Sequence, residues 1–131
     1  MRRTAATAAI GTLLLATACG GSSGQQAATG AAQPGATVDM VFTEFKQTDV
    51  AIKAGQAVTF VNQNPITHVI VGGSYTVDPG TGLRTAEQAD GAFSLKASKK
   101  GDRVAHTFAK AGTYRFFCTI HKGMNGAVTV G

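Results

Sequence analysis

An all-β antiparallel sandwich is the fold class predicted for residues 38–131, and three observations predict it. Short runs rich in Val, Thr, Ile, Phe and Tyr recur along this stretch, Gly, Asn, Asp and Pro punctuate them, and almost nothing carries a helical period. Alternation of apolar and polar residues gives each run one face for a core and one for water.

The elements follow in order. Residues 38–45 and 48–52 read as strands, and Lys53-Ala54-Gly55-Gln56 as the turn after them. Residues 57–62 alternate clearly, with Val58 and Phe60 on one face and Thr59 and Val61 on the other. Asn62-Gln63-Asn64-Pro65 ends that strand, and His68 opens another over 68–71, before Gly72-Gly73. The polar Gly/Asp/Thr-rich passage 74–91 reads as a surface loop, with Asp78-Pro79-Gly80 as its turn and 85–89 as a possible site for one helical turn. Strands resume at 93–95, 103–109 and 114–118, with Ala111-Gly112 turning between the last two, and 127–130 is the final strand.

Ahead of this domain the chain has a different character. Met1-Arg2-Arg3, an uncharged Ala/Thr/Leu stretch, and small residues before Cys19 are the order of a signal peptide over residues 1–18. The apolar stretch is too short and alanine-rich to suit a membrane span. Leu15, Ala16 and Ala18 before Cys19 resemble a bacterial lipoprotein cleavage box, with Ala16 at a position usually held by leucine. That resemblance makes Cys19 the lipidated first residue of the mature protein; ordinary secretion is the alternative, and the arginine pair leaves twin-arginine export open. After Cys19, residues 20–37 carry Gly, Ser, Gln, Ala and Thr with one proline and no charge, so 19–37 has the composition expected of a lipidated cysteine and a flexible linker.

Charge excludes one class of partner. The chain holds 12 basic and 7 acidic residues, for a net +5, and loss of Arg2 and Arg3 with the leader leaves +3. No basic run is dense enough for nucleic acid: Lys99-Lys100 with Arg103 is the nearest cluster, and a solvated turn explains it. If Cys19 carries lipid, Cys118 is the only thiol left, with no disulfide partner.

The chemistry lies in Y-R-F-F-C-T-I-H-K-G-M-N-G-A-V-T-V, residues 114–130. Cys118, His121 and Met124 supply a thiolate, an imidazole and a thioether, soft or borderline donors that suit copper better than calcium or magnesium. Structural zinc would want four thiolate or imidazole ligands. His68, opening a strand after the Asn-Pro break, is the candidate for a fourth donor, whereas His106 reads as a surface or edge residue. Three other readings bear on these residues. A cysteine nucleophile with a histidine base lacks an orienting group and leaves Met124 unexplained. Haem attachment would need C-x-x-C-H, which is absent. A buried free cysteine beside an unrelated histidine and a core methionine is the plain structural alternative.

The stretch G-T-Y-R-F-F-C-T-I-H-K-G-M-N-G-A-V-T-V resembles the metal loop of the cupredoxins, small blue-copper electron carriers of the plastocyanin and amicyanin type. Upstream, A-G-Q-A-V-T-F-V-N with a histidine six residues after its Asn is similar to the family's first-histidine strand. The resemblance implies a Greek-key sandwich of eight strands. It also implies one copper ion, with His68, Cys118 and His121 in a trigonal plane and Met124 as weak axial ligand. One position departs: where many members carry Asn directly after the first histidine, tying the two ligand loops, this chain has Val69.

The expected function is single-electron shuttling between redox proteins outside the cytoplasm by a type 1 copper site with no open coordination position, hence no enzyme. The resemblance implies that the His121 ring edge is the electron port. Pro65, Ile66 and Ile120 are the expected rim, and Lys122 beside it would orient an acidic partner. The expected state is a monomer, lipid-anchored on the extracytoplasmic face of the cell membrane, or else soluble in the periplasm or medium. A copper-delivery lipoprotein and a metal-free interaction module are the alternatives.

Overall fold

The computed structural model describes residues 32–131; the leader, Cys19 and the linker up to residue 31 lie outside the described residues. Nine strands follow one another: β1 (Gln33–Val41), β2 (Glu44–Phe45), β3 (Asp49–Ile52), β4 (Gln56–Asn62), β5 (His68–Val77), β6 (Arg84–Ala97), β7 (Arg103–Thr107), β8 (Gly112–Cys118) and β9 (Asn125–Val130). They form a four-stranded sheet in the order β2-β1-β4-β7 and a five-stranded sheet in the order β3-β9-β8-β5-β6. The sandwich is as expected, but two pairings in it, β1 with β4 and β3 with β9, are parallel. Apolar alternation encodes which face is buried and not the direction of the neighbour, so these pairings leave no trace in the pattern.

Two boundaries differ from expectation. β1 begins at Gln33, inside the span read as linker, because its backbone pairs with β4 from Gln33 opposite Gln56 onward. Hydrogen bonding holds it there rather than burial, and Gly35 admits the approach: a Cβ would stand 2.8 Å from the Ile52 side chain and 2.9 Å from the Ala57 carbonyl. The run read as one strand over 38–45 is a hairpin instead. Phe42 turns it with φ at 51°, its N–H donating to Asn64 Oδ1 at 2.9 Å, and this adds the short β2 to the eight strands expected.

Between the sheets lie Val38 and Met40 of β1, Val58 and Phe60 of β4, Ile70 of β5, Phe116 of β8 and Val128 of β9. Phe45, Phe60 and Phe116 make a triangle in which Phe116 meets both others edge-to-face at 5.1 Å between centroids, while Phe45 and Phe60 are tilted at 6.0 Å. Each such ring removes about 150–250 Å² from water. Cys118 and Met124 belong to this same cluster, so the chemistry grows out of the end of the core.

The largest correction concerns residues 74–91. They form neither a loop nor a helical turn but most of a long hairpin, paired from Gly73 opposite Ala89 to Val77 opposite Arg84. The Asp78 turn stands at its tip, where Asp78 Oδ1 accepts from the Gly80 and Thr81 amides, both at 2.9 Å. β6 is exposed over most of its length, so no core face imposes alternation and the sequence looks like loop. A bulge between Val71 and Gly73 redirects the hairpin; a Cβ on Gly73 would collide with the Gln88 carbonyl. Beyond it Tyr75 packs against Phe117 at 6.1 Å between centroids and donates to the Gly126 carbonyl at 3.2 Å. This explains why consecutive Phe116 and Phe117 are both buried: one faces the sandwich, the other lies under the hairpin.

Candidate metal centre

Two of the donors are placed by strand ends and two by the turn between β8 and β9. Cys118 is the last residue of β8 and His68 the first of β5, and these strands pair with Ile70 opposite Cys118. The chain then reverses within six residues: the Met124 N–H donates to the His121 carbonyl at 3.1 Å, and the Cys118 N–H donates to the Met124 carbonyl at 3.0 Å. The even three-residue steps thus become one closed turn that returns His121 beside Cys118, with Sγ and Nδ1 3.6 Å apart. The His68 and His121 rings stand 5.1 Å apart between centroids. One donor atom from each of His68, Cys118 and His121 lies within 4.8 Å of the others. Met124 and Cys118 are fully buried, and Cys118 has no disulfide partner among the described residues.

His68 is the most telling of the four. Both its ring nitrogens are buried without a hydrogen-bond partner among the described residues, an arrangement that costs a few kcal/mol unless something else engages them. Burial, followed by the neighbouring His121, lowers its pKa, which keeps the imidazole neutral with a lone pair available. The approach to His68 is braced by buried Asn62, whose Nδ2 donates to the Ile66 carbonyl at 2.8 Å and whose Oδ1 accepts from the Asn64 amide at 3.1 Å. His106 stands apart on edge strand β7, stacked on Phe93 at 4.4 Å, as expected for an edge residue.

Val69 leaves the two ligand segments without a side-chain tie, and the backbone supplies one: the Thr119 N–H donates to the Val69 carbonyl at 2.9 Å. A further device was not read from the sequence. Arg84, at the start of β6 and only 3% exposed, reaches behind the ligand turn. Its Nη2 donates to the Cys118 carbonyl at 2.6 Å, and its Nη1 to the Met124 carbonyl at 3.0 Å and to Asn125 Oδ1 at 2.7 Å. Its Nε pairs with Glu87 at 2.6 Å, and its carbon Cζ lies 4.7 Å from the Phe117 ring centroid. Within T-G-L-R-T-A-E nothing distinguishes a buried arginine from a solvated one, so no local signal could have found it.

A buried thiol, two imidazoles and a buried thioether are a soft or borderline donor set, which fits copper and no hard cation. A β-sandwich carrying such a site at one end of its core is the architecture of a cupredoxin. Comparison with known proteins agrees. The family described as copper binding proteins, plastocyanin/azurin family, matches residues 32–131. Plastocyanin of Scenedesmus fuscus is 34% identical over 88 residues, which are 66% of this chain and 85% of that protein. Amicyanin of Paracoccus versutus is 32% identical over 82 residues, 63% of this chain and 54% of that protein. Among solved structures, a reduced Cu(I) form of an amicyanin mutant matches with a TM-score of 0.53 at 27% identity, covering 76% of this chain and 85% of that one. A purple cupredoxin from Nitrosopumilus maritimus shares the fold, with a TM-score of 0.56 at 22% identity over 73% of this chain and 99% of that one. The chain belongs to the plastocyanin/azurin family of blue copper electron carriers, and copper is its cofactor.

Proposed function

We propose that His68, Cys118, His121 and Met124 hold a single copper ion and that the protein carries one electron at a time between redox proteins outside the cytoplasm. Bound copper supplies the Cu(I)/Cu(II) couple; the chain supplies a donor set that moves little between the two states. The observation that carries this reading is the buried His68 ring, which finds no hydrogen-bond partner among the described residues and has one nitrogen within 4.8 Å of the Cys118 and His121 donor atoms. A donor set that is mostly buried and braced by Asn62 and Arg84 favours a carrier over a delivery protein, which needs a site that opens. Four protein donors would fill the coordination of such an ion, which favours electron transfer over catalysis.

His121 is the half-buried member of the set and is the electron port. Exposed Pro65 and Ile120 and half-buried Ile66 form its rim, and exposed Lys122 favours an acidic partner. The leader delivers the protein as a monomer to the extracytoplasmic face of the cell membrane, held there by lipid on Cys19. Replacing Cys19 by Ser moves it to the soluble fraction if this is so; unchanged membrane association rejects the anchor.

Titrating the purified domain with Cu(II) tests the site. The expected result is one equivalent bound and an intense thiolate band at about 600 nm. Cys118→Ser removes the band while far-ultraviolet circular dichroism stays that of a β-sandwich; persistence of the colour rejects the ligand set.

A further inference from the structure

We infer that Arg84 is a positioning residue for electron transfer: it clamps the ligand turn from behind and biases the site toward its reduced form. Three facts carry this. Arg84 is buried, yet it spreads its donors over one short segment, touching the carbonyls of Cys118, His121 (3.2 Å), Lys122 (3.4 Å) and Met124, and the side chain of Asn125. Its own N–H donates to the Lys122 carbonyl at 3.0 Å, so backbone and side chain grip the same turn. It also comes from the hairpin that the sandwich core does not require, whose tip reaches the turn again through Gly82, where Asn125 Nδ2 donates to the carbonyl at 3.3 Å.

The chemistry follows from the geometry. The carbonyls of Cys118 and Met124 belong to two of the four donor residues and converge on one guanidinium, so their positions are locked together by a planar fork. Lysine, with one compact ammonium, cannot span from the Cys118 carbonyl to Asn125 Oδ1. The charge also counts. Uptake of an electron lowers the charge of the site by one, and a fixed buried cation bonded to the Cys118 carbonyl favours that change. Glu87, 38% exposed and paired with Arg84 Nε, opposes it with a charge weakened by solvent. The bias rests on the copper reading above; the clamp does not.

Arg84→Gln, Arg84→Lys and Glu87→Gln separate the two. In the metal-free protein, amide exchange over residues 119–125 should accelerate at least about tenfold in both Arg84 variants, and the thermal midpoint of Arg84→Gln should fall by about 10 °C. In the copper-loaded protein, Arg84→Gln should shift the couple about tenfold toward the oxidised form, ~59 mV for one electron. Arg84→Lys keeps the charge and should stay within about threefold of wild type, while Glu87→Gln should move the couple about threefold toward the reduced form. Unchanged exchange in Arg84→Lys overturns the clamp, and a couple that Glu87→Gln leaves still or drives toward oxidation overturns the bias, even if Arg84→Gln does not fold. A wild-type protein that takes up no copper overturns the copper reading and the bias together, while exchange in the metal-free protein still decides the clamp.

Discussion

Thr119 and Val69 are joined by a single backbone hydrogen bond of 2.9 Å, from the Thr119 amide to the Val69 carbonyl. It links the segment that follows Cys118 to the segment that follows His68, and it uses no side chain. The identity of residue 69 is therefore nearly free. Val69→Ala should keep the position of the visible band and lose no more than about 1 kcal/mol, the transfer term of a half-buried side chain. Denaturant unfolding of the metal-free protein and the spectrum of the loaded one check this. A shifted band would mean that the Val69 side chain itself shapes the site.

Phe116 carries the opposite dependence. Its ring stands at the apex of the triangle with Phe45 and Phe60 and lies two residues before Cys118 on the same face of β8. Phe116→Ala should cost about 3–5 kcal/mol, a large share of the ~5–15 kcal/mol that holds such a domain folded. Phe116→Leu should cost about 1–2 kcal/mol and leave the fold intact. Unfolding midpoints measured without copper are the check, since bound metal would mask the loss.

His106 predicts a pH dependence far from the metal. Burial lowers its pKa from the ordinary 6.5, with Asp90 partly opposing, while it stacks on Phe93 and meets Phe108 edge-on. The unfolded chain therefore takes up the proton first as pH falls, and the folded state loses ground. The contribution is intact above the unfolded value and is lost as pH falls through the lower folded value. His106→Phe keeps the stack and removes the proton. Unfolding free energies between about pH 5 and pH 7 should then depend less on pH in the variant than in wild type. Equal slopes would remove His106 as a contributor.

Much of this was legible in the sequence because it is local or periodic. Alternation in A-V-T-F-V-N placed Val58 and Phe60 in the core, and C-x-x-H-x-x-M placed three soft donors after a strand end. His68, fifty residues upstream of Cys118, was legible through the strand-ending Asn62 to Pro65 segment before it. The hairpin over 74–91 was not, because its strands are held by backbone pairing across exposed faces and have no apolar rhythm. The start of β1 was missed for the same reason: Gln33 to Thr37 has the composition of a linker and the hydrogen bonds of a strand.

By itself the sequence determined a β-sandwich with a soft-metal loop near its end, because residue type and spacing dictate burial period and donor chemistry. Only the tertiary structure decided what surrounds that loop. It brought Arg84 behind Cys118, replaced a missing side-chain tie at Val69 with a backbone one, and left the nitrogens of His68 without protein partners. The first two join residues 34 and 50 positions apart in the chain. Whether an arginine meets water or four carbonyls depends on which strands pair and where they bend, and neither is written in the neighbours of the arginine.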